Sequence, residues 1–327
     1  MISRRSVLAY LAIAPAVAWA QPAPGVHRIG LLSGGYSPMT KDARHWPSFS
    51  DAMRKLGYEE GRNVVYEFRY SEGTPARFPQ LARELVAAGV QLIVVTGSAE
   101  AVAASRATAT IPIVAIHVGD PVELGLAATL ARPGRNLTGS TFNIPGFSAK
   151  ALDLLIEAFP KARHIGVLAN PTQPNYADFR QEMERVAAEK DVMLLPTSEA
   201  TRPEELESAL DRIAKDKSQA MVVLLAALFQ LNRQRVIAFA AQAKVPTMYA
   251  WADDVEAGGL MAFAVDVRTL YARAPVFVDK ILKGAKPGDI PIERPTRFGL
   301  WLNLKTARAL GVTFPPAILA RAERVIE

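Results

Sequence analysis

The side chains best suited to chemistry lie in short polar corners, each just beyond a β-type apolar run. Ser33-Gly34-Gly35-Tyr36 joins a flexible turn to a hydroxyl and an aromatic ring. Thr96-Gly97-Ser98 opens a helical pattern. Ser98 is placed as the N-cap there, where free N–H groups can hold a carboxylate without a basic side chain, although an ordinary capped helix reads the same way. His117-Val118-Gly119-Asp120-Pro121 follows the next apolar run, and Asp120 either meets a ligand amine or caps the segment after Pro121. The second half offers Asn170-Pro171-Thr172, Leu225-Ala226 and Tyr249-Ala250-Trp251 with Asp253-Asp254. Tyr249 and Trp251 suit the wall around an apolar or aromatic ligand, and an Asp of the pair, Asp254 above all, suits an ammonium group. Burial of Trp251 in the core and a solvated helix start for the two acids are the alternatives.

Reaction chemistry is poorly represented. His27, His45, His117 and His164 show no paired metal spacing, and no G-x-S-x-G, G-x-x-x-x-G-K-[ST] or G-x-G-x-x-G occurs. The chain has no cysteine, which excludes disulfides, thiolate nucleophiles and cysteine-ligated zinc. A binding protein without metal, cofactor or catalysis is expected; turnover by a purified sample would mark a hydrolase or lyase instead.

Corners of this kind need strands to carry them, and the chain supplies two matching sets. His27-Arg28-Ile29-Gly30-Leu31-Leu32 returns 136 positions later as Arg163-His164-Ile165-Gly166-Val167-Leu168. Gln91-Leu92-Ile93-Val94-Val95 returns as Gln219-Ala220-Met221-Val222-Val223, and Ile111-Pro112-Ile113 as Val245-Pro246-Thr247. Apolar runs alternate with helical spacing throughout, the pattern of parallel sheets covered on both faces. Strands are expected at 28–32, 63–69, 91–95, 112–116 and 137–141, then at 165–169, 192–196, 220–224, 247–249 and 260–265. Helices are expected at 47–56, 78–88, 99–107, 124–131, 176–190, 203–215, 232–243 and 267–283, with a last strand at 297–302 and C-terminal helices after it. The fold class is therefore α/β, two doubly wound parallel-sheet lobes joined by a hinge of three crossovers near 143–146, 260–265 and 287–295. Residues 26–143 with 265–290 form the first lobe, and 144–264 with 291–327 the second. Ligands bind between such lobes, at the carboxyl ends of their strands, and Asn143 at the first crossover joins the expected ligand contacts.

The 327 residues suffice for two cores, and 50% hydrophobic with 21% charged residues is a globular composition. Residues 1–20 read as a cleavable signal peptide, with Arg4-Arg5 before an apolar stretch from Val7 to Val17 and Ala18-Trp19-Ala20 as the cleavage site. Ser3-Arg4-Arg5-Ser6 leaves both general secretion and twin-arginine export open. Removal lowers the net charge from +6 to +4 without leaving a basic block, so nucleic acid is not an implied partner. The periplasm is the expected location.

Longer stretches carry a family resemblance: Gly57-Tyr58-Glu59-Glu60-Gly61-Arg62-Asn63-Val64, Ala109 to Val114, Gly119-Asp120-Pro121-Val122 to Gly134, Ala257-Gly258-Gly259-Leu260-Met261, Ile281 to Pro287, and Asn303-Leu304-Lys305-Thr306-Ala307. Together they resemble the ABC-transporter substrate-binding family whose better-known members carry tryptophan or tyrosine. The resemblance implies a type I periplasmic-binding-protein fold, no catalysis, and delivery of a small-molecule ligand to an ABC permease in the inner membrane. It also implies that the Thr96-Gly97-Ser98 corner faces the cleft, opposite loops Asn170–Asn175 and Tyr249–Asp254; Asn175 is added on that ground. The chain departs from the family at Arg135 and at Ser98-Ala99. A monomer is expected, and a sensor presenting its bound form to a membrane kinase is the alternative function.

Overall fold

The computed structural model describes residues 25–35, 45–72, 74–142, 144–173 and 176–327. The expected leader and the expected contacts Tyr36, Asn143 and Asn175 lie outside them. The first part of the chain contains β1 (His27–Ser33), α1 (Trp46–Lys55), β2 (Val64–Tyr70), α2 (Phe78–Ala87), β3 (Leu92–Val95), α3 (Ser98–Ala107), β4 (Ile113–Val118) and β5 (Leu137–Thr141). Next come α4 (Phe147–Ala158), β6 (His164–Ala169), α5 (Tyr176–Glu189), β7 (Met193–Leu194), β8 (Ser198–Glu199), α6 (Leu206–Lys215), β9 (Ala220–Val223), α7 (Ala227–Leu231), α8 (Arg233–Ala243), β10 (Thr247–Tyr249), α9 (Ala252–Glu256) and β11 (Met261–Ala264). The chain ends with α10 (Val267–Leu282), β12 (Gly299–Asn303), α11 (Leu304–Leu310), α12 (Pro316–Leu319) and β13 (Ala322–Ile326).

The first sheet runs β2-β1-β3-β4-β5, all parallel. The second repeats that order as β7-β6-β9-β10-β11, then adds β12 antiparallel to β11 and β13 beside β12. Each sheet separates two apolar clusters: Leu92 and Val94 point to one side, Ile93 and Val95 to the other. Ala220 and Val222 diverge from Met221 and Val223 in the same way. Both lobes are thus doubly wound, with the strand order reversing at β1 and β6.

The internal echo has a packing cause. β1 and β6 hold the same central place, with Ile29 beside Leu92 and Ile165 beside Ala220. A Cβ on Gly30 would stand 3.2 Å from Leu85 of α2, and one on Gly166 would stand 2.5 Å from the Ser218 hydroxyl just after α6. The Ile-Gly pair therefore marks, in each lobe, where a covering helix or the turn just after it packs tightly on the central strand.

α10 returns to the first lobe after β11. Leu270, Ala274, Phe277 and Val278 bury there with Ile29, Phe49 and Ile116, and each large side chain so buried contributes about 1.5–3 kcal/mol. The chain then lies along β5, where Glu293 takes the Gly139 carbonyl and gives its own to Thr141, before leaving for β12. At the junction lie Phe147, Phe263 and Phe298, one ring beside each crossover; Phe263 stacks on both of the others, Phe147 and Phe298 are tilted to each other, and the centroids are 5.5–6.1 Å apart.

Three expectations change. Residues 124–131 are turns rather than a helix, because Gly125 takes a left-handed φ of +67° that ends any helical run. The expected C-terminal helices are present as α11 and α12, but a further strand, β13, follows them and pairs beside β12. Helix α4 has no counterpart in the sequence reading, because it is buried on nearly every side and so shows no polar face. Among the described residues no helix is long and apolar enough to cross a membrane; the apolar run 220–229 is β9 leading into α7.

Gly139 is the tightest backbone approach. It has φ +128°, and an added Cβ would lie 2.0 Å from the Ala115 carbonyl oxygen across the irregular β4–β5 pairing. Gly139→Ala should cost about 3 kcal/mol or more, against about 1 kcal/mol for Gly30→Ala, where side-chain tips can give way. Urea midpoints at unchanged slope check this; equal midpoints for the two variants would contradict it.

Candidate functional site

Parallel strands deliver their carboxyl ends to one edge of each sheet, and the two edges face each other across a cleft of about 1000 Å³. Of the residues expected there, Ser33 at the end of β1 and Gly34 after it, Thr96, Gly97 and Ser98 after β3, and His117 in β4 line it from the first lobe. Thr172 after β6, Ala226 after β9 and Trp251 after β10 line it from the second.

Asp120, Asn170, Tyr249 and Asp254 stand behind that lining. The Asp120 carboxylate accepts the Val122 and Glu123 N–H groups at 2.7 and 3.1 Å, capping the turn after Pro121. Asn170 accepts from the Thr172 N–H and hydroxyl at 3.0 and 2.7 Å, which fixes Thr172 on the wall. Tyr249 is buried with its hydroxyl unpartnered. Asp254 is buried 3.7 Å behind Arg233, which does line the cleft. Burial pushes the Asp254 carboxyl up to about 7 although Arg233 opposes the shift.

Ser98 is not the N-cap. Gly97 holds that place in extended conformation, Ser98 is the first helical residue, and its hydroxyl accepts the Gly119 N–H at 2.9 Å. The corner is thereby tied across β3 to β4.

The sequence reading missed Glu100. It is buried at 7% exposure, lines the cleft, and accepts the Gly34 N–H at 2.9 Å and the Thr96 hydroxyl at 3.2 Å. Burial raises its pKa against the opposing pull of these donors. In sequence it looks like an acid in an ordinary first helical turn, where Glu is favoured for capping, and nothing local marks its reach back to β1. His45 was also missed, and Asp253, expected only as one of an acid pair for an ammonium group, meets it. The His45 Nε2 and an Asp253 oxygen are 2.9 Å apart, joining the lobes across 208 positions of sequence.

Aromatic rings complete the walls. Phe142 meets Trp251 edge-on at 5.2 Å and His117 lies 5.7 Å from Trp251, so first-lobe rings touch second-lobe rings. Tyr271 of α10 lies 5.3 Å from His45. Burial, with Glu100 and Asp253 nearby, raises the Tyr271 pKa and keeps the phenol protonated. Trp46, Tyr70 and Phe78 line the first-lobe side. The arrangement is a receptacle with ringed walls and a few braced charges, suited to holding a small molecule.

The model of the family described as ABC transporter substrate binding protein matches residues 42–326. The chain is 26% identical over 262 residues to a tyrosine-binding protein of Clostridioides difficile, covering 80% of this chain and 75% of that one. Among solved structures it is similar to an ABC domain in complex with L-Trp from Streptococcus pneumoniae, with TM-score 0.84, 25% identity, and coverage of 92% and 100% of the two chains. A conserved domain protein from Vibrio cholerae gives TM-score 0.83 at 29% identity, covering 92% and 99%. The ligand-free, open structure of a substrate binding protein with adhesive properties from Clostridium difficile gives 0.68 at 25% identity, covering 92% and 99%.

His117 carries a pH consequence. Burial, then the charge of nearby His45, hold its imidazole down to about 4 from the ordinary 6.5. The folded state thus keeps it neutral where the unfolded chain would protonate it. This contribution is complete above pH 6.5 and is lost as pH falls toward 4, a change of about 3 kcal/mol. Melting temperatures of wild type and His117→Gln across pH 4–7 should converge at the acid end; parallel curves would show that the imidazole titrates freely.

Proposed function

This chain belongs to the ABC transporter substrate-binding protein family, a family of solute-binding proteins and not of enzymes, and we propose that it captures an aromatic amino acid for import. The single observation that carries this reading is the cleft lining, where aromatic side chains of the first lobe and Trp251 of the second share one cleft with the buried carboxylate of Glu100. Rings offer an apolar side chain large area at low entropic cost, and a buried acid suits an ammonium group. The relatives named for tyrosine and L-Trp support the same ligand class.

Lobe closure is the device. The chain matches the L-Trp complex at TM-score 0.84 and the ligand-free open relative at 0.68, with equal identity and equal coverage of this chain. This difference supports a shut arrangement here, with His45–Asp253 and Phe142–Trp251 as its contacts across the gap. Driving an equilibrium from mostly open to mostly closed takes about 5.5 kcal/mol of differential affinity. A micromolar site, at about 8 kcal/mol in total, can supply that if both lobes touch the ligand. The closed form then docks on a membrane permease, and the reading of residues 1–20 as a cleavable export signal supports a periplasmic receptor.

Titration calorimetry of the purified protein should give micromolar affinity for L-tryptophan or L-tyrosine, and Trp251→Leu should weaken it by about tenfold or more. Small-angle scattering should show no expansion when ligand is added. Absence of any melting-temperature rise with aromatic amino acids at millimolar concentration would refute the ligand class.

A further inference from the structure

We propose that the cleft orients its ligand by charge, with the ammonium group in the first lobe against Glu100 and the carboxylate in the second against Arg233. The inference rests on the reading of the ligand as an amino acid and adds its direction. A helix N-terminus at the end of a strand ordinarily attracts an anion. At α3 that place is already taken. The Gly34 N–H and the Thr96 hydroxyl are turned onto Glu100, and the Gly119 N–H onto Ser98. A Cβ on Gly97 would lie 2.8 Å from the second Glu100 oxygen, so that oxygen lies directly over the N-cap. A ligand carboxylate placed there would meet a fixed carboxylate, whereas an ammonium would meet its counter-ion.

The second observation is the missing counter-charge. Glu100 is 7% exposed, and among the described residues it forms no ion pair. A buried acid that lines a binding cleft and is braced only by neutral donors is incomplete until a cation arrives.

The opposite wall is built for the other end of a zwitterion. Arg233 donates its Nε to the Gln230 carbonyl at 2.9 Å and faces Asp254 at 3.7 Å. The terminal guanidinium nitrogens have no partner among the described residues, which leaves the fork that pairs with a carboxylate. Asp254, one oxygen of which is buried without a hydrogen bond, acts through Arg233 as a positioning residue. The indole Nε1 of Trp251, on the same wall, is a buried donor without an acceptor among the described residues.

The test uses three probes with one ring system: L-tryptophan, tryptamine, which lacks the carboxylate, and indole-3-propionate, which lacks the amine. Calorimetric affinities are measured for wild type, Glu100→Gln and Arg233→Gln, with ligand-free melting temperatures to establish that each variant is folded. Glu100→Gln should weaken tryptophan and tryptamine by about 10- to 100-fold and leave indole-3-propionate within about threefold. Arg233→Gln should do the converse, weakening tryptophan and indole-3-propionate and sparing tryptamine. The reversed pattern, or equal loss for all three probes, overturns the assignment. If wild type binds none of them, the aromatic reading has failed, and the direction is tested with the ammonium compounds that raise the melting temperature in a panel of amino acids and amines. A panel yielding no such compound, or a wild-type ligand without a cationic nitrogen, overturns the inference itself.

Discussion

The constraint on which this molecule depends is the parallel direction of its repeated strands. Strands that run parallel and are joined through crossover helices all finish at the same sheet edge, as β1–β5 do in the first lobe and β6, β7, β9, β10 and β11 in the second. Helix N-termini and polar corners collect at that edge without any local instruction to do so. Because the chain writes the arrangement twice, it creates two polar edges, and the crossovers bring them face to face. β12 and β13, which fall outside the repeated order, contribute nothing to the cleft lining. They widen the second sheet and leave the site to the repeated part.

Charge within the cleft is handled lobe by lobe. Glu100 leans on Gly34 and Thr96 of its own lobe, and Asp254 stands behind Arg233 within the other. Such bracing keeps each group in place whether the lobes are together or apart, and avoids the several kcal/mol that an unsupported buried charge would cost. His45 and Asp253 are different, since their bond forms only when the edges approach. A site with pre-positioned groups loses little entropy in arranging itself for a ligand, which leaves more of the interaction energy to drive closure.

What could be read from the sequence follows physical range. The two-lobe plan was legible because its signals are local and doubled: β-type runs, glycines where helices press, and polar residues at strand ends. The corners Ser33-Gly34, Thr96-Gly97-Ser98, His117, Thr172, Ala226 and Trp251 were placed on the lining for that reason. Glu100 was not, because an acid in the first turn of a helix has a sufficient local explanation and its partner Gly34 is 66 positions away. Asp254, Tyr249 and Asn170 were taken for lining when they support it from behind; distance to a strand end does not tell front from back. Helix α4 escaped notice because burial on all sides erases amphipathic spacing, and the false helix at 124–131 came from apolar spacing that a left-handed glycine interrupts.

The clustered rings of Phe147, Phe263 and Phe298, with Phe263 stacked on the other two, bear on how the two halves can move. A tight aromatic knot beside all the connecting strands resists shear, since sliding one strand past another would unstack the rings. Rotation about the knot costs far less. Displacement then grows with distance from this pivot, so groups near it travel little while the remote rim sweeps a wide arc. In the proposed closure the molecule works as a lever whose fulcrum is hydrocarbon, and a modest bend in the connecting backbone becomes a large change in the mouth of the cleft.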